Sequence, residues 1–203
     1  MRNLNIGLIA ISILCSTVIA TGGGSFYKTK VGSPLNYHKV RLLDYNEAGS
    51  GTWLFRTNLP SNNGTFMYDT LLKLMQQRSE EANITFPDYT KEQVKIVDIN
   101  LLSVNSYFDR KVEIDFFNAN PDKGLFYNWP IVGAVINPNM LSEAERMKEV
   151  AVLNTSIDNL PTMIPKIRST LFNEVPSTIP TFLFFHCEAG SDRTGQVAGS
   201  YMM

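Results

Sequence analysis

Three residues with chemical potential stand close together in the stretch FLFFHCEAGSDRTGQ, from Phe182 to Gln196. Cys187 is followed after five residues by Arg193, and Thr194 comes next. A thiolate is a strong nucleophile, and a guanidinium group can offer a bidentate fork to two phosphate oxygens. The hydroxyl of Thr194 can donate a hydrogen bond to the sulfur. The spacing therefore predicts a nucleophile and an anion-binding group within one loop.

This loop lies between two predicted elements. Thr181 to His186 is almost wholly apolar and predicts a buried strand, and a helix is expected from Thr194 onward. Ligands of α/β proteins bind at the carboxyl ends of such strands. Backbone N–H groups in the turn and the dipole of the following helix favour an anion there. The same field can lower a cysteine pKa from about 8.5 by several units, so the loop would suit both a phosphate and a thiolate.

The motif His186-Cys187-x5-Arg193-Thr194-Gly195 resembles the signature of the cysteine-dependent protein tyrosine and dual-specificity phosphatases. The resemblance implies a cysteinyl-phosphate intermediate on Cys187, with Arg193 holding the phosphoryl group and Thr194 aiding departure of the thiolate. It implies neither a metal nor an organic cofactor. His186 is expected to help fix the loop. The loop residues expected to bind the substrate phosphate are Glu188, Ala189, Gly190, Ser191, Asp192 and Arg193.

The loop interior bears on the substrate. His186 to Gly190 is similar to the phytase-like inositol phosphatases, and Asp192 to Thr194 is similar to a trio in several phosphoinositide phosphatases. Asp98 to Phe108 resembles the DLR-x-E element of the phytase-like group only in part, since its Arg and Glu are absent. Glu188 and Asp192 are acidic, and no loop lysine can attract a multiply phosphorylated inositol ring. A phosphotyrosine-type substrate is therefore favoured, with an inositol phosphate or phosphoinositide as the alternative.

Cleavage of a phosphate ester also needs a general acid for the leaving oxygen. The family resembled here usually supplies an aspartate about 30 residues before the cysteine, and Asp158 lies 29 residues before Cys187. In the myotubularin lipid phosphatases, an aspartate at the loop position of Asp192 has that role. Asp158 also fits a charge that favours a helix N-terminus, and Asp192 also fits a partner for a basic side chain. Both candidates stay open.

The elements that must position the loop follow from hydrophobic spacing. Three segments predict strands, namely Thr52 to Leu59, Val94 to Leu102 and Val112 to Phe117. Helical spacing of apolar residues predicts one helix after Met67 and another within Asn159 to Phe172, whose regular part is expected to begin near Pro165. A capping box predicts a further helix from Ser142 to about Val152. The order predicts an α/β domain with a central, mostly parallel sheet flanked by helices, and with the phosphate-binding loop between a buried strand and a helix.

The first 20 residues are expected to be a signal peptide. Arg2 precedes the apolar run Ile6 to Ala20, which is too short to span a bilayer comfortably. Sequons at Asn63, Asn83 and Asn154 then predict a glycosylated protein that is secreted or lies in an endomembrane lumen, with no stable membrane span after cleavage. Cleavage would also remove Cys15, leaving Cys187 without an internal disulfide partner.

Length and charge bound the remaining possibilities. With 203 residues and a net charge of −1, the chain fits one globular domain and shows no pull towards nucleic acid. Residues 21–203 are expected to form a single tyrosine-phosphatase-like domain. Domains of that family continue with further helices, whereas only Thr194 to Met203 follow the loop, so C-terminal incompleteness is expected. A catalytically weak, phosphate-binding pseudophosphatase is the alternative from another functional class.

Overall fold

The computed structural model describes residues 35–103, 106–131, 142–153, 160–172 and 178–203. The predicted signal peptide, Asn154 and Asp158 lie outside these ranges. The strands are β1 (Arg41–Asn46), β2 (Thr52–Asn58), β3 (Ser61–Asn62), β4 (Thr65–Phe66), β5 (Lys95–Asn100), β6 (Gly124–Asn128) and β7 (Thr181–Cys187). The helices are a 3-10 turn (Tyr37–Lys39), α1 (Tyr68–Glu81), α2 (Tyr107–Ala119), α3 (Glu143–Leu153), α4 (Leu160–Leu171) and α5 (Asp192–Met202).

Five of the strands form one sheet in the order β1-β2-β7-β5-β6, and β3 and β4 form a separate two-stranded hairpin. Strands β2, β7, β5 and β6 are parallel, while β1 pairs with β2 in the antiparallel sense. The predicted α/β class with a mostly parallel sheet flanked by helices is therefore confirmed. Because β7 has a parallel neighbour on each side and helices over both faces, it can be apolar throughout.

Alternate residues of β7 serve two separate cores, as the two-residue period of a strand requires. Phe182 and Phe184 face a cluster that includes Leu72 of α1 and Phe117 of α2. On the other face, the intervening side chains of β7 pack against α4 and α5 in a second cluster. Its members include Leu183, Phe185, Cys187, Ile167 and Val197. His186 and Cys187 therefore point to opposite sides of the sheet.

Helix α5 is tied to the domain by polar contacts near its end. The Tyr201 hydroxyl donates to Asp44 Oδ2 of β1 at 2.6 Å, and Arg168 Nη2 of α4 donates to the Tyr201 carbonyl oxygen at 2.6 Å. Val197 and Ala198 pack into the core between these contacts and the start of the helix. The helix that follows the cysteine is thereby held at a fixed distance from β7.

Two expectations about individual elements are wrong. Val112 to Phe117 was expected to be a strand but lies within α2, where Phe117 packs into the core. Helix α4 begins at Leu160 rather than near Pro165. Proline is tolerated in a first helical turn, where no backbone donor is needed, so Pro161 does not delay the helix. Pro165 has no N–H to donate to the carbonyl oxygen of residue 161, and the helix nevertheless continues through it to Leu171.

The predicted capping box of α3 is confirmed. The backbone N–H of Ser142 donates to Glu145 Oε2 at 2.8 Å, and the Glu145 N–H donates to Ser142 Oγ at 3.3 Å. This reciprocal pair satisfies two backbone donors that a helix N-terminus leaves without partners.

In the parts of the chain that the structure describes, no helix combines the length and the apolar character that crossing a bilayer would require.

Candidate active site

Cys187 is the last residue of β7, and the chain turns away from the sheet directly after it. Backbone contacts from both neighbouring strands hold this point. The Leu59 N–H, just past β2, donates to the Glu188 carbonyl oxygen at 3.1 Å, and the Leu101 N–H, just past β5, donates to the His186 carbonyl oxygen at 2.9 Å. We refer to residues 187–193 as the Cys187 loop. Its base is therefore held by the carboxyl ends of three parallel strands.

Gly190 gives this loop its tight turn. Its φ angle is 64°, a left-handed conformation that favours glycine. A Cβ atom there would lie 2.8 Å from the Thr57 carbonyl oxygen and 2.8 Å from the Asn58 nitrogen, both in the backbone of β2. The loop therefore lies directly against the end of β2, and the absence of a side chain permits the contact.

We expect Gly190→Ala to lower the free energy of unfolding by about 2–4 kcal/mol, since it combines a left-handed alanine with a backbone clash. Chemical denaturation of the purified protein measures this loss. Gly199→Ala is the matched control, because Gly199 lies within α5 and an added Cβ meets no atom within 4 Å. The free energy of unfolding of that control should rise by about 0.5–1 kcal/mol. Equal stability of Gly190→Ala and the parent would contradict the tight packing of the loop.

The sulfur of Cys187 is surrounded by hydrogen-bond donors. The Thr194 hydroxyl donates to Sγ at 3.1 Å, and the same oxygen accepts the Cys187 backbone N–H at 2.9 Å. Burial by itself disfavours the thiolate, but donors from the Thr194 side chain and from the backbone N–H groups of Thr194, Gly190 and Ser191 outweigh it. The pKa of Cys187 is therefore lowered. The expected link between Thr194 and the sulfur is present.

Helix α5 begins at Asp192, so Arg193 and Thr194 occupy its first turn. The Gly195 N–H donates to the Ser191 carbonyl oxygen at 2.7 Å and closes that turn. Cys187 thus lies at the positive end of the helix dipole, which favours a negative charge on or near the sulfur.

Arginine side chains supply further positive charge at the loop. Arg193 is partly buried, and its Nη1 atom is buried with no hydrogen-bond partner among the described residues. Arg56 of β2 donates from Nη2 to the Gly190 carbonyl oxygen at 2.6 Å. Burial lowers the pKa of Arg56, and the Cys187 charge opposes that change. A buried guanidinium nitrogen without a partner is costly, and an anionic ligand in the loop would relieve that cost.

A lysine also reaches the loop from a distant part of the chain. Lys39 Nζ of the 3-10 turn donates to Ser191 Oγ at 2.7 Å. The loop itself contains no lysine, as noted from the sequence, but the folded protein places Lys39 and Arg56 beside it. These two cations, which do not belong to the loop in sequence, would attract a multiply phosphorylated ligand.

The other expected site residues differ in their placement. Ala189, Ser191 and Asp192 are exposed on the outer side of the loop, while Glu188 is half-buried and Gly190 is buried. Asp192 stands at the first position of α5, next to Arg193. Asp158 lies outside the described residues, so the choice between the two candidate acids stays open.

His186 is fully buried behind the loop, on the face of the sheet opposite Cys187. Its ring stacks on Phe184 with centroids 5.6 Å apart, and its Nδ1 atom lies 3.4 Å from the Cys187 carbonyl oxygen. Two carboxylates meet its other ring nitrogen, those of Asp98 in β5 and Glu113 in α2. Two carboxylates therefore hold the His186 ring behind the loop, and its role in fixing the loop stays a prediction.

Sequence reasoning missed four residues of this region: Lys39, Arg56, Asp98 and Glu113. Arg56 and Asp98 each carried a readable signal, because an ionisable residue inside an apolar strand needs a partner. Glu113 was missed because its segment was predicted to be a strand. Lys39 was missed because it is far from the loop in sequence.

Comparisons with protein-family models, curated proteins and solved structures found no match for this chain.

Proposed function

We propose that this protein is a phosphomonoester hydrolase that uses Cys187 as its nucleophile and passes through a cysteinyl-phosphate intermediate. The observation that supports this proposal best is the convergence on one sulfur of the Thr194 hydroxyl and three backbone N–H groups. The buried and unpartnered Nη1 atom of Arg193, in the same loop, supports an anionic substrate. No cofactor enters the proposed reaction.

In the first step, Sγ attacks phosphorus, an S–P bond forms, and the bond from phosphorus to the leaving oxygen breaks. The general acid gives its proton to that oxygen, and Arg193 holds two of the remaining phosphoryl oxygens. In the second step, water attacks phosphorus and loses a proton to the same carboxylate. The S–P bond breaks, inorganic phosphate is released, and Thr194 stabilises the departing thiolate.

A phosphotyrosine-type substrate is the first candidate. Glu188 and Asp192 place two acidic side chains in the loop, where they would repel a multiply phosphorylated inositol ring more than a single aryl phosphate. A multiply phosphorylated inositol is the second candidate, favoured by Lys39 and Arg56 beside the loop. Turnover of an aryl phosphate by the parent and by Cys187→Ser tests the hydrolase itself. Comparison of phosphotyrosine peptide with inositol hexakisphosphate separates the two substrate classes.

We further propose that the protein enters the secretory pathway and carries glycans. Asn63 lies in the turn of the β3–β4 hairpin and Asn83 follows α1, and both are exposed with positive φ angles of 49° and 57°. Exposed turns are accessible to a glycosyltransferase.

Expression in a eukaryotic secretory system should yield a chain that begins near Thr21 and loses mass on glycosidase treatment. Thr65→Ala and Thr85→Ala should each remove one glycan, since they destroy the sequons without placing a new residue at a positive φ. Thr90→Ala, at an exposed threonine outside any sequon, is the control and should leave the mass of the glycans unchanged. An intact N-terminus with no glycosidase effect would contradict this proposal.

A further inference from the structure

Asp98, Glu113 and His186 meet in the interior between β5, α2 and β7, and all three are 0% exposed. His186 Nε2 lies 3.1 Å from Asp98 Oδ1 and 3.2 Å from Glu113 Oε1. One nitrogen and two carboxylate oxygens, all within 4.8 Å of one another, thus come from three different elements. We call these three residues the buried triad.

One oxygen of the triad has no partner at all, and another has only the histidine ring. Asp98 Oδ2 is buried and accepts no donor among the described residues, while the buried Glu113 Oε1 has only His186 Nε2 near it, at 3.2 Å. Two ionised carboxylates also carry one negative charge more than a single imidazolium can balance. Uncompensated charge in a dry interior is costly, so a further positive charge is needed at this point.

The distances suit a metal ion. Zinc binds histidine nitrogen at about 2.0–2.1 Å and carboxylate oxygen at about 2.0–2.2 Å. Ligand atoms that share a zinc ion at those distances lie roughly 3–3.4 Å apart, in either octahedral or tetrahedral geometry. The measured separations of 3.1 Å and 3.2 Å fall within that range.

The surrounding contacts orient the ligand atoms. His186 Nδ1 lies 3.4 Å from the Cys187 carbonyl oxygen, so a proton on Nδ1 has an acceptor when the Nε2 lone pair faces a metal ion. Asn100 Nδ2 donates to Glu113 Oε2, and Asn100 Oδ1 accepts the Leu102 N–H at 2.8 Å. Glu113 is thereby turned so that Oε1 faces His186. Partners of this kind accompany metal ligands in proteins.

We propose that the buried triad is a structural site for a first-row divalent metal ion, with zinc as the best fit. His186 Nε2, Glu113 Oε1 and Asp98 Oδ1 would supply three donor atoms, and Asp98 Oδ2 would add a fourth when that carboxylate binds through both oxygens. Mixed nitrogen and oxygen donors suit zinc, and the ion's two positive charges balance the two carboxylates when histidine is neutral. Because the triad is closed to solvent, the ion enters as the chain folds and joins β5, α2 and β7.

A bound proton is the rival occupant. Burial and the neighbouring Glu113 raise the pKa of Asp98 to about 7, while His186 acts in the opposite direction. A neutral Asp98 beside an imidazolium and an ionised Glu113 would balance the charge without metal. Metal content and thermal stability distinguish these two states, and neither measurement depends on the proposed phosphatase activity.

The test uses the secreted protein with any tag removed, in a Cys187→Ser background, because a thiolate also binds zinc. We expect about one zinc ion per chain by plasma mass spectrometry. Refolding in zinc at about 100 times the dissociation constant, rather than in chelator, should raise Tm by roughly 5 °C or more.

Asp98→Asn and Glu113→Gln should each abolish both the bound zinc and the Tm difference. These replacements keep the side-chain shape and remove a buried charge, so they favour folding without metal. Asp115→Asn is the matched control; Asp115 is exposed on α2, where it pairs with Lys111, and its loss should leave the zinc content unchanged. If the parent chain holds no metal and gains no stability from zinc, manganese, cobalt or calcium, the proposal is overturned and the triad holds a proton. Zinc retained in both triad variants would equally overturn it.

Discussion

Cys187→Ser should lower turnover of an aryl phosphate by a factor on the order of 10⁴ or more, as expected when a catalytic nucleophile is lost. A serine hydroxyl stays protonated at neutral pH, so the donors that stabilise a thiolate have no comparable anion to act on. The backbone of the loop and Arg193 remain, so binding of phosphate or vanadate should persist. Steady-state hydrolysis and calorimetric titration with vanadate measure the two effects separately. Coincident denaturation curves for parent and variant are the control for folding.

The state of the thiol gives an independent measurement. The pKa of Cys187 is lowered by the donors around its sulfur, so thiolate is present above that pKa and disappears as the pH falls through it. The rate of alkylation should therefore reach half its maximum below the usual thiol value of about 8.5. Phosphate should protect the thiol. Hydrolysis by Cys187→Ser at the parent rate would exclude a cysteinyl intermediate, while phosphate binding by a parent without turnover would identify a pseudophosphatase.

The second large effect concerns the general acid. Replacing it should slow the hydrolysis of an alkyl phosphate by about 100- to 10,000-fold, while hydrolysis of an aryl phosphate with a good leaving group should slow far less. The pair to compare is Asp158→Asn with Asp192→Asn, each assayed on both kinds of ester across pH. We expect Asp158→Asn to show the larger dependence on the leaving group and to erase the fall in activity at high pH, where the acid loses its proton.

Asp115→Asn serves as the control here as well, since its carboxylate is exposed and pairs with Lys111 on α2. If only Asp192→Asn shows the dependence on the leaving group, the acid lies in the Cys187 loop. That result would move the proposed substrate towards phosphoinositides, because the trio from Asp192 to Thr194 resembles one found in several phosphoinositide phosphatases. If neither variant shows it, both assignments are wrong and the pseudophosphatase becomes the better hypothesis.

The parts of the fold that sequence predicted are those whose local pattern and tertiary role agree. Strand β7 is apolar because it is buried on both faces, and the predicted segment matches it to within one residue. The capping box at Ser142 is likewise a local device that works through neighbours in sequence. A sequence pattern predicts structure correctly where the local preference of the residues agrees with their place in the tertiary fold.

Helix α2 shows why the rest could not be read. Val112 to Phe116 alternates apolar and acidic residues, which is the period of a strand. The structure instead places Phe117 in the core and buries Glu113 beside His186. Glu113 interrupts the apolar stripe expected of a helix that faces a core. Its partners, His186 and Asn100, come from strands, so the sequence around α2 gives no sign of them. Lys39 and Arg56 illustrate the same limit, since contacts between distant segments leave no spacing to detect.

The opposite orientations of His186 and Cys187 divide the molecule into two chemical compartments. One residue faces a closed interior with ionisable groups, and the next faces the loop where a ligand would bind, with the backbone of β7 between them. Mutations in the closed compartment should therefore change how the protein withstands heat or chelators more than how its thiol reacts. Replacing Thr194, which donates to the Cys187 sulfur, should have the reverse effect, whereas Gly190 affects stability because it packs against β2. A library that varies the Cys187 loop for new substrates can therefore leave Asp98 and Glu113 unchanged.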